Sequence, residues 1–412
     1  MGNWKALVTA LGIGTVMLGG ACGNDPSKDK IVIGQAISLT GVYSPTAVNG
    51  MVPTYDMWIE EVNAMGGIYV KDYGKKLPIE LIRYDDQSDI PTMLTLMEKL
   101  ILEDKVDLLL PPQSTNMLYN GAPLANSHAK VLIGGGGGAL KLKEIMSGLP
   151  YFFSVMNFAD TQMPVLADLL AGAGVKKVAI VFIQELNGIE YSSVLGPELA
   201  LRNIDVVMLK SIPLETTDFS ALFAEATAEG ADAFIGFTYP DESLAATGQA
   251  IALGYNPKVF FVEVGPSLEA YGKQMFGGPA AVEGVMGPCS WNEKISPAAA
   301  DFAARFTARW SQQGLSNEYW GDLLYYASLE FLKQAIEQVG SLDQKQIRDV
   351  MASSTFTTSL GPMSFVGGFN TQHPGEICQW QNGVFEIVGP TAKQTAPLVY
   401  PKPAWPAPPP AP

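Results

Sequence analysis

"VLIGGGGGALKL", residues 131–142, runs from three apolar residues through five glycines into the start of a helical pattern. β-branched residues favour the extended chain, and glycine reaches backbone conformations closed to other residues. The stretch reads as strand, tight turn and helix, with a row of bare backbone amides at the strand's carboxyl end. Such amides suit a nucleotide phosphate, another anion such as a carboxylate, or nothing beyond close packing.

The same unit recurs on both sides. Short β-rich runs stand at 31–37, 77–84, 106–110, 131–133, 177–183, 204–210, 232–237 and 258–262. Nearly continuous apolar runs of this length imply strands covered on both faces. Between them lie helical patterns, such as Met51, Tyr55, Trp58, Ile59 and Val62, or Met93, Leu94, Met97, Leu100 and Ile101, each giving one apolar stripe to a sheet. Strand and helix in alternation predict doubly wound α/β domains. Two blocks can be counted, about 30–150 and 155–285, followed by helical patterns at 297–313 and 317–339 and by strand patterns in "GPMSFVGGFN" and "EICQWQNGVFEIVG". With no Ser/Gly-rich linker between the blocks, several short connections are expected in place of one tether, the chain returning to its first block and crossing again.

Composition narrows the function. The 412 residues are 47% hydrophobic and carry a net charge of −15, which opposes any broad grip on nucleic acid or an anionic membrane. The N-terminus places Lys5 before an uncharged run of 16 residues, Ala6 to Ala21, shorter than the roughly 20 that span a bilayer. It reads as an export signal over residues 1–21. "LGGAC" resembles the bacterial lipobox, which would make Cys22 a lipidated N-terminus, although Gly19 stands where that pattern prefers an aliphatic residue; ordinary cleavage after Ala21 is the alternative. Export would permit a disulfide between Cys289 and Cys378, two separate buried thiols being the other reading. The last twelve residues hold seven prolines and read as a surface extension.

Chemistry has little to work with. His128 and His373 are the only histidines, neither in a ligand or triad spacing, and no GxSxG, HExxH or CxxC pattern occurs. No metal or cofactor is expected; the carboxylates of "YDDQSD" (84–89) suit a solvated loop. Gly134 to Ala139 satisfies GxGxxA, but the run follows the fourth strand and no acidic residue ends a strand about 20 residues on. An anion-gripping loop fits better. Open α/β sheets bind ligands beyond the carboxyl ends of their strands, which converges Tyr43, Gln113, Ser114 and Gly136 to Gly138 from the first block with Asn187, Tyr239 and Glu263 from the second. Ser114 alone would read as a plain helix cap.

Taken in order, "IVIGQAISLTGVYS", "NAMGGI", "LPIELIRYDDQSD", "EKLILEDKVDLLLPPQST", "KVLIGGGGGA", "TTDFSALFAEATAEGADAFIGF" and "YYASLEFLKQAIEQVGSLD" resemble the type I periplasmic solute-binding proteins of the leucine/isoleucine/valine-binding family. The resemblance runs from about Lys30 to Val388. It implies two α/β lobes joined by three crossovers, the first from 30–150 and about 288–360, the second from 151–287 and about 361–390, with 391–412 as a Pro-rich tail. It also implies a ligand carboxylate held at Gln113–Ser114 and Gly136–Gly138, an ammonium held near Glu263, and Tyr43 and Tyr239 closing over the ligand. Three departures stand out: Gly138 replaces the family's Thr, Asn187 replaces an aromatic residue ahead of Gly188, and Gln113 falls where the first serine is expected. They leave more room and different polarity, so that an amino acid, an organic or aromatic acid, or an amide all remain open. The expected protein is a monomer outside the cytoplasm that captures such a ligand by hinge closure and hands it to an ABC transporter permease. A sensor module for a receptor and a nucleotide-dependent enzyme are the alternatives.

Overall fold

Ile31–Ile37 lies between Ile79–Asp85 and Leu108–Leu109, all three parallel. The computed structural model, which describes residues 28–373 and 375–406, completes this first lobe with a four-stranded sheet in the order Phe365–Val366, Phe369–Asn370, Phe152–Ser154 and Leu132–Gly134. The second lobe holds seven strands in the order Val384–Gly389, Glu376–Gln381, Met286–Cys289, Val259–Val262, Ala233–Phe237, Lys177–Ile183 and Asp205–Ile212. Its five earlier strands are parallel and the last two form an antiparallel edge. The expected two-lobed, doubly wound α/β fold is present. The export signal, Cys22 and residues 407–412 lie outside the described residues. Among the described residues no helix is long and apolar enough to cross a membrane.

The helices take the stripes read from the sequence. Ile90–Leu102 buries Met93, Met97, Leu100 and Ile101, and Val52–Ala64 buries Tyr55, Trp58, Ile59 and Val62. All five residues of Ala233–Phe237 are buried, as a strand covered on both faces must be. Counting from each lobe's own first strand, the sheet order is second, first, third. Where such an order reverses, the connections leave on opposite faces and a crevice opens at the strands' carboxyl ends. The crevices therefore fall after Ile37 and Leu109 in one lobe and after Ile183 and Phe237 in the other.

The chain crosses between lobes three times, after Ser154, Cys289 and Asn370. Pairing of strands moves the expected boundaries. Phe152–Ser154 pairs in register with Leu132–Gly134, so the first lobe extends past 150. Residues 361–370, expected in the second lobe, stay in the first because Phe369 pairs with Ser154. Met286–Cys289 continues the second lobe's sheet past 287. Cys289 and Cys378 form a disulfide with their Cα atoms 5.8 Å apart.

Two elements depart from the sequence reading for local reasons. The helix expected from 317 begins only at Asp322, because the Glu318 carboxylate accepts the amides of Trp320 and Gly321 and its backbone bridges to Leu268. The C-terminal extension does not stand free: residues 391–406 run along the second lobe. Trp405 meets Phe260 edge-on with ring centres 5.5 Å apart and donates to the Tyr255 carbonyl at 2.6 Å, and the buried Lys402 ammonium donates to Asn256 Oδ1 at 2.6 Å.

Candidate functional site

The two crevices face each other and enclose one cavity of about 750 Å³, its open mouth included. Eight of the nine residues expected at a ligand line it: Tyr43, Gln113, Ser114, Gly136, Gly137, Gly138, Asn187 and Tyr239. Glu263 does not. Neither histidine reaches the cavity.

The cavity wall offers a row of backbone donors. Among the described residues, the amides of Gly136, Gly137 and Gly138 donate to no protein acceptor, and neither do those of Ser114, Thr115 and Asn116 at the start of the Thr115–Ser127 helix. A helix's first amides have no intrahelical partner and carry the positive end of its dipole. Ser114 caps this helix, its Oγ accepting from Met117 N at 3.3 Å, and it holds φ at +87°. A non-glycine residue in that strained region, cap and cavity wall at once, is the kind of cost that persists at functional sites. The Gln113 Oε1 is buried beside it without a hydrogen-bond partner. None of the five glycines has a left-handed φ. They are needed for close approach: a Cβ at Gly136 would stand 2.4 Å from Gln113 Oε1, and one at Gly137 would stand 3.0 Å from Thr115 Cα.

Tyr43 and Tyr239 meet edge-to-face across the cleft, ring centres 6.0 Å apart. The Tyr43 hydroxyl donates to Glu185 Oε1 of the opposite lobe at 3.1 Å, and Asn116 Nδ2 donates to the other oxygen of the same carboxylate. Lys141 N donates to Glu190 Oε2 at 2.9 Å, a second bridge between lobes. The protein is thus in a closed form, with polar clasps at the rim. The loop that carries Tyr43 is held by side chains of "YDDQSD": Asp85 accepts from Leu39 N at 2.9 Å, Asp86 from the Ser38 hydroxyl at 2.6 Å, and the Ser88 hydroxyl from Tyr43 N at 3.1 Å.

Comparison with known proteins places this geometry. The family model described as "Periplasmic binding protein" matches residues 30–383. The chain belongs to that family. The periplasmic binding protein is 21% identical over 236 residues to Leu/Ile/Val-binding protein homolog 7 of Brucella melitensis, a match covering 55% of this chain and 58% of that relative. It also superimposes on the branched-chain amino acid transporter substrate binding protein of Streptococcus pneumoniae in complex with isoleucine, with a TM-score of 0.75 and 18% identity over 90% of this chain and 100% of that one. A solute binding protein of an ABC transporter from R. palustris in complex with benzoate gives a TM-score of 0.74 and 18% identity over 91% and 97%. The fold and the resemblance to the leucine/isoleucine/valine-binding family are borne out.

This periplasmic binding protein departs from two expectations at the cavity wall. Gly138 leaves no extra room, since a Cβ there would stand 2.4 Å from the Tyr191 hydroxyl and 2.7 Å from the Asn157 carbonyl oxygen. Glu263 is neither an exposed loop residue nor a cavity wall. It is 1% exposed behind Asn187, whose Nδ2 donates to both carboxylate oxygens at 2.9 Å. Burial pushes its carboxyl up to about 8, the Asn187 hydrogen bonds opposing. A carboxyl raised on folding favours the folded state fully below its ordinary pKa of about 4.5, and that contribution is lost as pH climbs to about 8. Glu263→Gln, which keeps the shape and removes the charge, should therefore match the parent at pH 5 and be more stable at pH 9 by roughly 2 to 4 kcal/mol. Thermal unfolding at the two pH values checks this; an equal difference at both would mean that Glu263 does not titrate on folding.

Sequence reasoning missed Asn49, Gly50, Glu318, Trp320 and Tyr325, which line the same cavity. They come from the turn Ala47–Met51 that opens the first long helix and from the return of the chain to the first lobe. Strand-end logic does not reach there. The polar and aromatic run "NEYW" just ahead of a long apolar helix was the available signal.

Proposed function

We propose that this protein is an extracytoplasmic solute-binding protein of an ABC uptake system, capturing a small carboxylate-bearing molecule between its lobes and presenting the closed form to a permease. The observation that carries the reading is the set of unpartnered amides, Gly136 to Gly138 with Ser114 to Asn116, converging on one interlobe cavity. Ionised oxygen acceptors are what such preorganised donors bind best. The binding of isoleucine and benzoate by structural neighbours of the same fold supports the carboxylate. Capture needs no covalent step; the cleft's groups orient a ligand, exclude water and reward closure, and closure is the state a partner can read. The family also supports an exported location, either released after Ala21 or anchored through a lipid on Cys22.

The test is a thermal-shift screen of the purified protein against aliphatic amino acids, aliphatic and aromatic carboxylates, and amides. A ligand held only by the folded state at a hundred times its Kd adds about 2.7 kcal/mol of stability and raises Tm accordingly. Ser114→Ala should weaken the best carboxylate by about ten- to a hundredfold, the worth of a hydrogen bond to a charged group together with its helix cap. Stabilisation by amides alone, with every carboxylate inert, would overturn the reading.

A further inference from the structure

The side-chain clasp between the lobes is built on one carboxylate. Glu185 stands at the head of the Leu186–Leu201 helix, yet its side chain does not cap that helix. It reaches across the cleft, where one oxygen accepts from the Tyr43 hydroxyl at 3.1 Å and the other from Asn116 Nδ2. Asn116 Nδ2 also donates to the Tyr43 hydroxyl at 3.3 Å, which closes a triangle. One acceptor of the second lobe thus holds two elements of the first, the loop after Ile37 and the first turn of the Thr115–Ser127 helix. Neither Glu185 nor Asn116 lines the cavity. Tyr43 belongs to both places, its ring on the cavity wall and its hydroxyl on the clasp. The bridge at Glu190 differs, because there a carboxylate meets a backbone amide, Lys141 N.

We propose that Glu185 is a proton-linked latch: joined to Tyr43 and Asn116 across the cleft, it sets the ratio of closed to open lobes and so scales the affinity for whatever the cleft holds, without touching it. A ligand that binds only the closed form gains or loses affinity in proportion to the closed fraction. The latch rests on the closing of two lobes and not on the carboxylate reading, so the two can fail separately. Its proton comes from the cost of closing. Opening returns the carboxylate to water, whereas closing half-buries it against two neutral donors. Among the described residues no lysine, arginine or histidine bonds to it. The titratable groups facing it are Tyr43 and Tyr239, with Asp86 beyond Tyr43; burial holds both phenols above their ordinary value, so they stay neutral. Burial raises the Glu185 carboxyl as well, the bonds from the Tyr43 hydroxyl and the Leu186 amide opposing. In the open form the group has its ordinary value of about 4.5. A carboxyl raised on closing favours the closed form fully below that value, and the contribution is lost as pH climbs through its closed-form value. Acid therefore tightens capture.

The experiment is small-angle X-ray scattering of the purified protein, freed of carried ligand by unfolding and refolding, at pH 5.5 and pH 8, with Glu185→Gln and Glu185→Ala beside the parent. Glutamine keeps the shape and can exchange hydrogen bonds with a turned Asn116 amide, but it takes up no proton. The parent's closed-to-open ratio should rise at least about threefold from pH 8 to pH 5.5, and that of Glu185→Gln should stay level. Glu185→Ala, with the clasp gone, should lie about tenfold below the parent at pH 5.5. A parent ratio that does not change with pH, whether the lobes are open or closed throughout, overturns the proton link and with it the latch. An equal rise in Glu185→Gln assigns the proton to another group and also overturns it. Failure of every carboxylate in the thermal-shift screen, with the scattering results as expected, overturns the carboxylate reading and upholds the latch.

Discussion

Replacing Gly138 by threonine should abolish ligand capture while leaving both lobes folded. The substitution restores a residue type that the resembled family carries in this loop, so restored function would be the naive expectation. The structure argues the opposite. The space a side chain would need is taken by the Tyr191 hydroxyl of the opposite lobe at 2.4 Å and by the Asn157 carbonyl, in the first hinge segment, at 2.7 Å. Neither gives way cheaply. Tyr191 is fully buried, and the Gly138 carbonyl accepts from Ala159 N at 2.9 Å, which pins the loop to the start of the Ala159–Gly172 helix. A threonine must push the lobes apart or move the loop, and either displaces the amides from the anion. Overpacking of this kind costs about 1–3 kcal/mol of stability. The loss of aim across three donors to a charged group should weaken the best carboxylate at least about a hundredfold. Gly196→Ala is the control, since nothing lies within 4 Å of the Cβ it would add. Binding to Gly138→Thr within threefold of the parent would mean that the lobes do not close onto this glycine.

The same residue shows how far the sequence could be read. That five glycines end a buried strand and offer amides was visible, because periodicity and glycine content are local properties. What stood against each glycine was not, because Gln113, Tyr325 and Tyr191 arrive from positions far along the chain. Strand-end topology brought eight of the nine candidate residues to one cavity, since sheet order alone decides where a crevice opens. It failed at Glu263, which does follow a strand but turns inward to Asn187, a matter of side-chain direction that no spacing encodes. It also failed at Glu318, where a helical pattern was extended five residues too far. The chain there breaks its own periodicity, the Glu318 carboxylate accepting the amides of Trp320 and Gly321 where a first helical turn was expected.

Removing the disulfide should cost more stability than any other pair of changes named here, and leave affinity nearly intact. The chain leaves the second lobe at Cys289 and re-enters it at Glu376, so the excursion between them builds the returning part of the first lobe. The bond joins exit to re-entry across neighbouring antiparallel strands, in which Gly287 faces Cys378 and Cys289 faces Glu376. Closing a loop with a separation of 89 residues restricts the unfolded chain by about 4–5 kcal/mol at 25 °C. Both cysteines are wholly buried, so Cys289→Ala with Cys378→Ala removes the tether without exposing a polar group. The denaturant midpoint should fall accordingly, and the unfolding should broaden as the first lobe's returning part loses its tie to the second sheet. The ligand should notice little, because the bond lies within one lobe and fixes the roots of two hinge segments to the same sheet. The crossing segments beyond those roots, 290–296 and 371–373, are left untouched by the substitutions. A large loss of affinity with unchanged stability would reverse this assignment, making the disulfide part of the closing mechanism and strand pairing alone the support of the fold.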